Sequence, residues 1–175
     1  GKDAFKGCTS LEMIEIKNPE CKIDESYDTI PEKTKIRGFS GSSAQTYSKK
    51  NHKAFENITI IYDDFFCDEI YLNKFSIPDD VETIGDNAFK ECGNLKEINL
   101  GKIKSIGKSA FENCVSLEYG RDFSKKQTGV LIIPASVKKI GERAFFNDKK
   151  IAQMKFEGKD TNIEDKTAID ENTFI

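Results

Sequence analysis

The pattern Ile-Gly-x-x-Ala-Phe-x-x-Cys-x-x-Leu recurs along this 175-residue chain, and so regular an internal repeat leaves few folds open to it. The fullest copies run Ile84-Gly85 to Ala88-Phe89, Cys92 and Leu95, and Ile106-Gly107 to Ala110-Phe111, Cys114 and Leu117. A third runs Ile140-Gly141 to Ala144-Phe145, Asp148 and Ile151. A fourth is cut in at Ala4-Phe5, Cys8 and Leu11, and Ile169 to Phe174 begins a fifth. Each unit is too short to bury its own apolar face, so the copies must stack.

The residues after each Leu position alternate. Leu11, Ile14 and Ile16 match Leu95, Ile98 and Leu100, and then Ile151, Met154 and Phe156. Apolar residues two apart mark a short strand with one buried face. Phe75-Ser76-Ile77-Pro78 and Leu131-Ile132-Ile133-Pro134 repeat that strand and close it with proline, which offers no ladder donor. Phe89 and Phe111 are 22 residues apart, a spacing proper to a leucine-rich repeat; the next interval is 34, placing an insertion around 121–128. The expected fold class is α/β: a right-handed leucine-rich-repeat solenoid, with short parallel strands on one face and short helices or turns carrying Ala-Phe on the other.

The string from Ile77 to Leu95, Ile-Pro-x-x-Val-x-x-Ile-Gly-x-x-Ala-Phe-x-x-Cys-x-x-Leu, resembles the BspA-like leucine-rich-repeat family, and the resemblance extends over 1–20 and 73–175. The stretch Ile30 to Lys50 is similar to the degenerate coil and helix that close such arrays. There Ser42 or Ser43 would cap a helix with Ala44, Tyr47, Asn51 and Phe55 on one face. The expected organisation is a repeat coil with this cap-like unit over 1–60, then an array of three to four coils over 61–175; one continuous solenoid is the other option. Residues 58–72 fit neither pattern, and Ile58 to Tyr62 is read as a strand restarting the sheet. The resemblance implies a secreted or surface-anchored bacterial protein used for adhesion or recognition, with no catalytic residues in its motif.

Little else in the chain points to chemistry. The 27 basic and 30 acidic residues are interleaved, without the basic stripe of a nucleic-acid binder. No apolar run approaches the roughly 20 residues of a membrane span. The chain opens Gly1-Lys2 without an initiator Met, so it is expected to be a mature or cut segment whose targeting signal is not visible. Cys8, Cys92 and Cys114 all stand three residues after the Phe, where small buried thiols suit a core; with Cys21 and Cys67 they form no C-x-x-C pair. His52 lies in a polar stretch without a partner nucleophile and is read as exposed. Asp63, Asp64, Asp68 and Glu69 lack the spacing and turn glycine of a calcium loop. Asn57-Ile58-Thr59 matches a glycosylation sequon. No enzyme activity, metal or cofactor is expected.

Binding then falls on the stacked strands, where side chains between buried ones point outward. In phase these are Glu15, Ser76, Asn99, Ile132 and Lys155, and one pair earlier Lys74, Glu97, Val130 and Gln153. Ile132 beside Val130 is the apolar spot on this face, read as a contact patch unless the 121–128 insertion covers it; Tyr119 and Phe123 would serve either purpose. The expected partner is a protein or glycan on host or neighbouring cells, without nucleic acid or membrane insertion. The rival reading is a structural spacer in a larger surface protein. Edge strands at both ends make end-to-end self-association of the chain a further expectation.

Overall fold

The computed structural model describes residues 1–120 and 129–163, and the chain divides into two compact units, 1–59 and 60–175. In the first, strands β1 (Met13–Ile16), β2 (Lys35–Gly38) and β3 (Phe55–Asn57) form a parallel sheet in the order β1-β2-β3. Helix α1 (Ser43–Lys50) starts where the Ser42 hydroxyl accepts the Gln45 N–H at 3.2 Å. It ends at Lys50, so Phe55 lies on β3 and not on the helix face expected for it. Asn51 is the C-cap, and Ala44 and Tyr47 face the core with Ile30 and Ile36. The Tyr47 hydroxyl accepts the Ile30 N–H at 3.3 Å and lies 3.0 Å from the Ser26 carbonyl, so this buried polar atom is satisfied.

The second unit is a parallel-strand solenoid with two ladders. One contains β5 (Lys74–Ser76), β7 (Glu97–Asn99), β9 (Tyr119–Gly120), β10 (Val130–Ile133) and β12 (Gln153–Phe156), in the order β12-β10-β9-β7-β5. Pro78 and Pro134 follow the apolar strand ends, as expected, and each carbonyl accepts an N–H three residues on. The other ladder contains β4 (Ile60–Ile61), β6 (Thr83–Ile84), β8 (Ser105–Ile106), β11 (Lys139–Ile140) and β13 (Asn162–Ile163), in the order β13-β11-β8-β6-β4. Three of its strands, β6, β8 and β11, end on the Ile of an Ile-Gly pair. The glycine is there because the coils touch: a Cβ on Gly107 would lie 2.5 Å from the Gly85 carbonyl carbon, and one on Gly141 2.6 Å from the Lys108 nitrogen.

The Ala-Phe segments are turns, and α1 is the only α-helix among the described residues. The residues two before and two after each Phe hold left-handed φ: Asn87 and Glu91 at 55° and 60°, Ser109 and Asn113 at 52° and 65°, Arg143 and Asn147 at 56° and 63°. Such conformations break a helix and are costly outside glycine, though least so for Asn and Asp. What offsets them is a third coil-to-coil ladder. The N–H groups of Asn87, Phe89 and Glu91 donate to the carbonyls of Lys108, Ala110 and Glu112 at 2.7–2.9 Å, and Ser109, Phe111 and Asn113 repeat this to Glu142, Ala144 and Phe146. The Asn147 amide donates to Asn113, and the Asn113 amide to Glu91, both at 2.6 Å.

Inside, Phe66, Phe89, Phe111 and Phe145 stack with centroids 5.1, 5.0 and 5.2 Å apart. Phe66 marks a further coil, outside the recognisable copies of the motif. Ile61, Phe66, Leu72, Phe75 and Ile77 take the places of Ile84, Phe89, Leu95, Ile98 and Leu100, and the N–H groups of Asp64, Phe66 and Asp68 donate to Asp86, Ala88 and Lys90. Tyr62 stands where the glycine would be. That is tolerable because β4 is the edge of its ladder, with no earlier coil of this unit to approach. Of Ile58 to Tyr62, only Ile60–Ile61 restarts a sheet; Ile58 belongs to the first unit and donates its N–H to Gly38.

The thiols divide. Cys92 and Cys114 are buried and donate to the carbonyls of Phe66 and Phe89 at 3.0 and 3.1 Å. Cys8, in the same phase, is exposed, which corrects its assignment to the core; its coil carries the edge strand β1 and makes contact on one side within its unit.

Candidate interaction face

The register of the first ladder of the second unit builds the outward face. Lys74 pairs with Glu97, Glu97 with Tyr119, Tyr119 with Val130 and Val130 with Gln153, so these positions make one row across five strands. Ser76 pairs with Asn99, and Ile132 with Lys155, in a parallel row. Along β10 the burial alternates: Leu131 and Ile133 are buried, while Val130 and Ile132 remain partly exposed. Ser76, Gln153 and Lys155 are exposed.

Several polar groups on this face already have partners. Lys74 Nζ lies 3.4 Å from Glu97, a surface pair in reach of water and so of small energetic weight. The Asn99 side chain accepts the Gly101 N–H at 3.0 Å and shapes the turn below the strand. At the entry to the row, Lys150 pairs with Glu118 at 2.5 Å. Glu15 lies on β1, in the sheet of the first unit. There Arg37 lies between Glu15 at 3.2 Å and Glu56 at 3.4 Å, one residue on each strand of β1-β2-β3. Phe123 and the 121–128 insertion lie outside the described residues.

The groups that might have carried chemistry have structural employment. Asp63 accepts the Asp86 N–H at 2.8 Å, and Asp86 in turn accepts the Lys108 N–H at 2.7 Å, so the acidic cluster is a set of turn residues. Asp64 and Asp68 hold its left-handed positions, at 57° and 59°. His52 is exposed at the end of α1, itself at φ 52°. Burial pushes the Cys92 thiol up to about 12 and the Cys114 thiol well above its usual value, which removes them as nucleophiles. Lys53 Nζ rests 3.7 Å from the centre of the Tyr27 ring, and burial lowers its pKa. Among the described residues no three His, Cys, Asp or Glu side chains converge to hold a metal, and no helix is long and apolar enough to cross a membrane. The first unit has an apolar cavity of about 140 Å³ lined by Phe5, Ile14, Ile16, Ile23 and Ile30.

One surface feature had no signal in the repeat pattern. Ile70 and Tyr71, in the turn of the degenerate coil, are 56% and 88% exposed. They stand where the regular coils have Gly93-Asn94 and Val115-Ser116, positions that the motif leaves variable.

Comparison with known proteins places these features in a family. No curated protein matches the chain. Among solved structures it is similar to a leucine rich cell surface protein from Faecalibacterium prausnitzii A2-165, at 28% identity and a TM-score of 0.45, over 59% of this chain and 31% of that one. It is also similar to a leucine-rich repeat protein from Bacteroides ovatus ATCC 8483, at 21% identity and a TM-score of 0.35, over 93% of this chain and 54% of that one. The chain therefore spans less than two thirds of either. A model of the BspA type leucine-rich repeat region matches six copies over residues 39–121 and 119–168, including residues 58–72, which fit neither expected pattern. With more than half of its length so matched, this chain belongs to the BspA-type leucine-rich repeat family.

Proposed function

We propose that this chain is a non-catalytic binding module of a surface or secreted protein, whose outward strand face receives a protein or glycan partner in adhesion to host or neighbouring cells. The observation that carries this reading is the composition of the face. Strand β10 sets Val130 and Ile132 directly beside the polar Gln153 and Lys155 of β12, with Glu97 and Lys74 farther along the same row beyond β9. Protein interfaces are built that way, with a few desolvated anchors inside a polar rim. Membership of the BspA-type family supports a surface location. A spacer that holds another domain away from the cell is the competing reading. It draws on the Lys74–Glu97 pair and the Asn99–Gly101 hydrogen bond, which occupy polar groups within the face itself.

The test is a binding screen of the folded chain against extracellular-matrix proteins and epithelial surfaces, with Ile132→Asp alongside. Saturable binding that the substitution weakens at least tenfold, with an unchanged unfolding midpoint, is the expected result. A folded chain that binds nothing saturably would leave the spacer reading standing instead.

A further inference from the structure

The third full copy of the motif replaces its cysteine with Asp148, and the slot it inherits is dry. Asp148 has no exposed surface, and neither carboxyl oxygen has a hydrogen-bond partner. In the two preceding coils this slot holds a donor: Cys92 donates to the Phe66 carbonyl and Cys114 to the Phe89 carbonyl. By the same register, the acceptor facing residue 148 is the Phe111 carbonyl. A carboxylate offers only lone pairs to a carbonyl, whereas a protonated carboxyl can donate as the thiol does.

Among the described residues the surroundings supply no counter-charge. From the preceding coil, Asp148 is faced by the Cys114 thiol and by Glu112, whose negative charge adds to the effect of burial in pushing the Asp148 carboxyl well above its ordinary 3.8. The Cys114 N–H draws the value down, yet it is committed to the Phe111 carbonyl at 3.0 Å. The nearby cations are engaged elsewhere: Arg143 donates to Glu112 at 2.6 Å and lies over the Phe146 ring, Lys90 pairs with Glu112 at 3.6 Å, and Lys150 with Glu118. Lys149 is exposed. An isolated buried carboxylate is too costly to persist, so the group stays neutral or the coil opens to hydrate it.

We propose that Asp148 is a proton-dependent latch: the coil that carries it closes onto the Phe111 layer with the carboxyl protonated, and loosens when the proton leaves. The sign follows from linkage. Unfolded, Asp148 releases its proton above about pH 4, while the closed coil retains it. The latch therefore contributes most in acid, and its contribution falls as pH rises towards the folded-state value. Acid tightens the array.

The test compares thermal unfolding of the full chain with that of Asp148→Cys, which restores the motif residue, between pH 8 and pH 5. The variant is expected to unfold at the higher temperature at pH 8, and the gap to narrow by about 3 °C for each unit of acidification. A gap that does not change with pH, or that widens in acid, would overturn the proposal. Asp148→Asn, neutral and of the same shape, gives the same comparison should the cysteine variant not fold. The carboxyl carbon shift of Asp148 in the wild-type chain at pH 7 is an independent readout. A protonated shift is expected, and a carboxylate shift would contradict the latch directly.

Discussion

The first coil of the chain and the coils of the second unit share one motif and bury it differently. Ala88, Ala110 and Ala144 are fully buried, as are Phe89, Phe111 and Phe145. Ala4 is exposed and Phe5 only half-buried, although the same pair of positive-φ residues, Asp3 and Gly7, flanks them. The Phe5 N–H donates to Thr29, so the coil is stacked on one side within its unit. The local conformation is thus written in the motif, while the depth of burial depends on what the coil stacks against, as where Phe111 lies between Phe89 and Phe145. The first unit compensates by another route, packing α1 through Ala44 and Tyr47 onto Ile30 and Ile36.

This difference can be broken at the aromatic stack. Phe111→Ala removes a ring held between Phe89 and Phe145 and is expected to cost about 3–5 kcal/mol. Phe5→Ala, on a half-buried ring, should cost about half as much or less. Chemical denaturation of the two variants measures both, and equal losses would mean that two-sided stacking is not what stabilises the array.

Glycine sharpens the same point at a smaller scale. Gly107→Ala forces a methyl group against the Gly85 and Asp86 backbone and is expected to cost about 3 kcal/mol. Gly7→Ala meets open space, and only its φ of 82° opposes the change, at about 1 kcal/mol. A Gly107 variant as mild as the Gly7 variant would show that the coils are not in contact along the Ile-Gly edge.

Much of this was legible in the sequence, and the failures share a cause. The strands of the first ladder show alternation, so β5, β7, β10 and β12 and their outward residues could be placed by parity alone. The second ladder has two-residue strands such as Thr83–Ile84, which carry one buried residue and no period. The Ala-Phe segment has the composition of a short helix; the Asn and Asp residues that mark its left-handed positions, as at Asn87, Asn113 and Asn147, were the available sign of turns. The start of the coil that carries Phe66, over 60–72, was hidden because Tyr62 and Phe65 replace the glycine and alanine of the motif. At the candidate face, parity gives direction but not company: that Glu97 meets Lys74 depends on the distance between coils, and that Asn99 accepts the Gly101 N–H depends on the local turn.

The most direct test of the account is the rate at which each cysteine of the folded chain reacts with a thiol reagent at pH 8, resolved by mass spectrometry. The account predicts rapid labelling of Cys8 and strong protection of Cys92 and Cys114, whose thiols are buried, bonded to the preceding coil and, for Cys92, raised to about 12. Labelling of all three at similar rates would contradict the claim that stacking on both sides, and not the motif itself, makes the core.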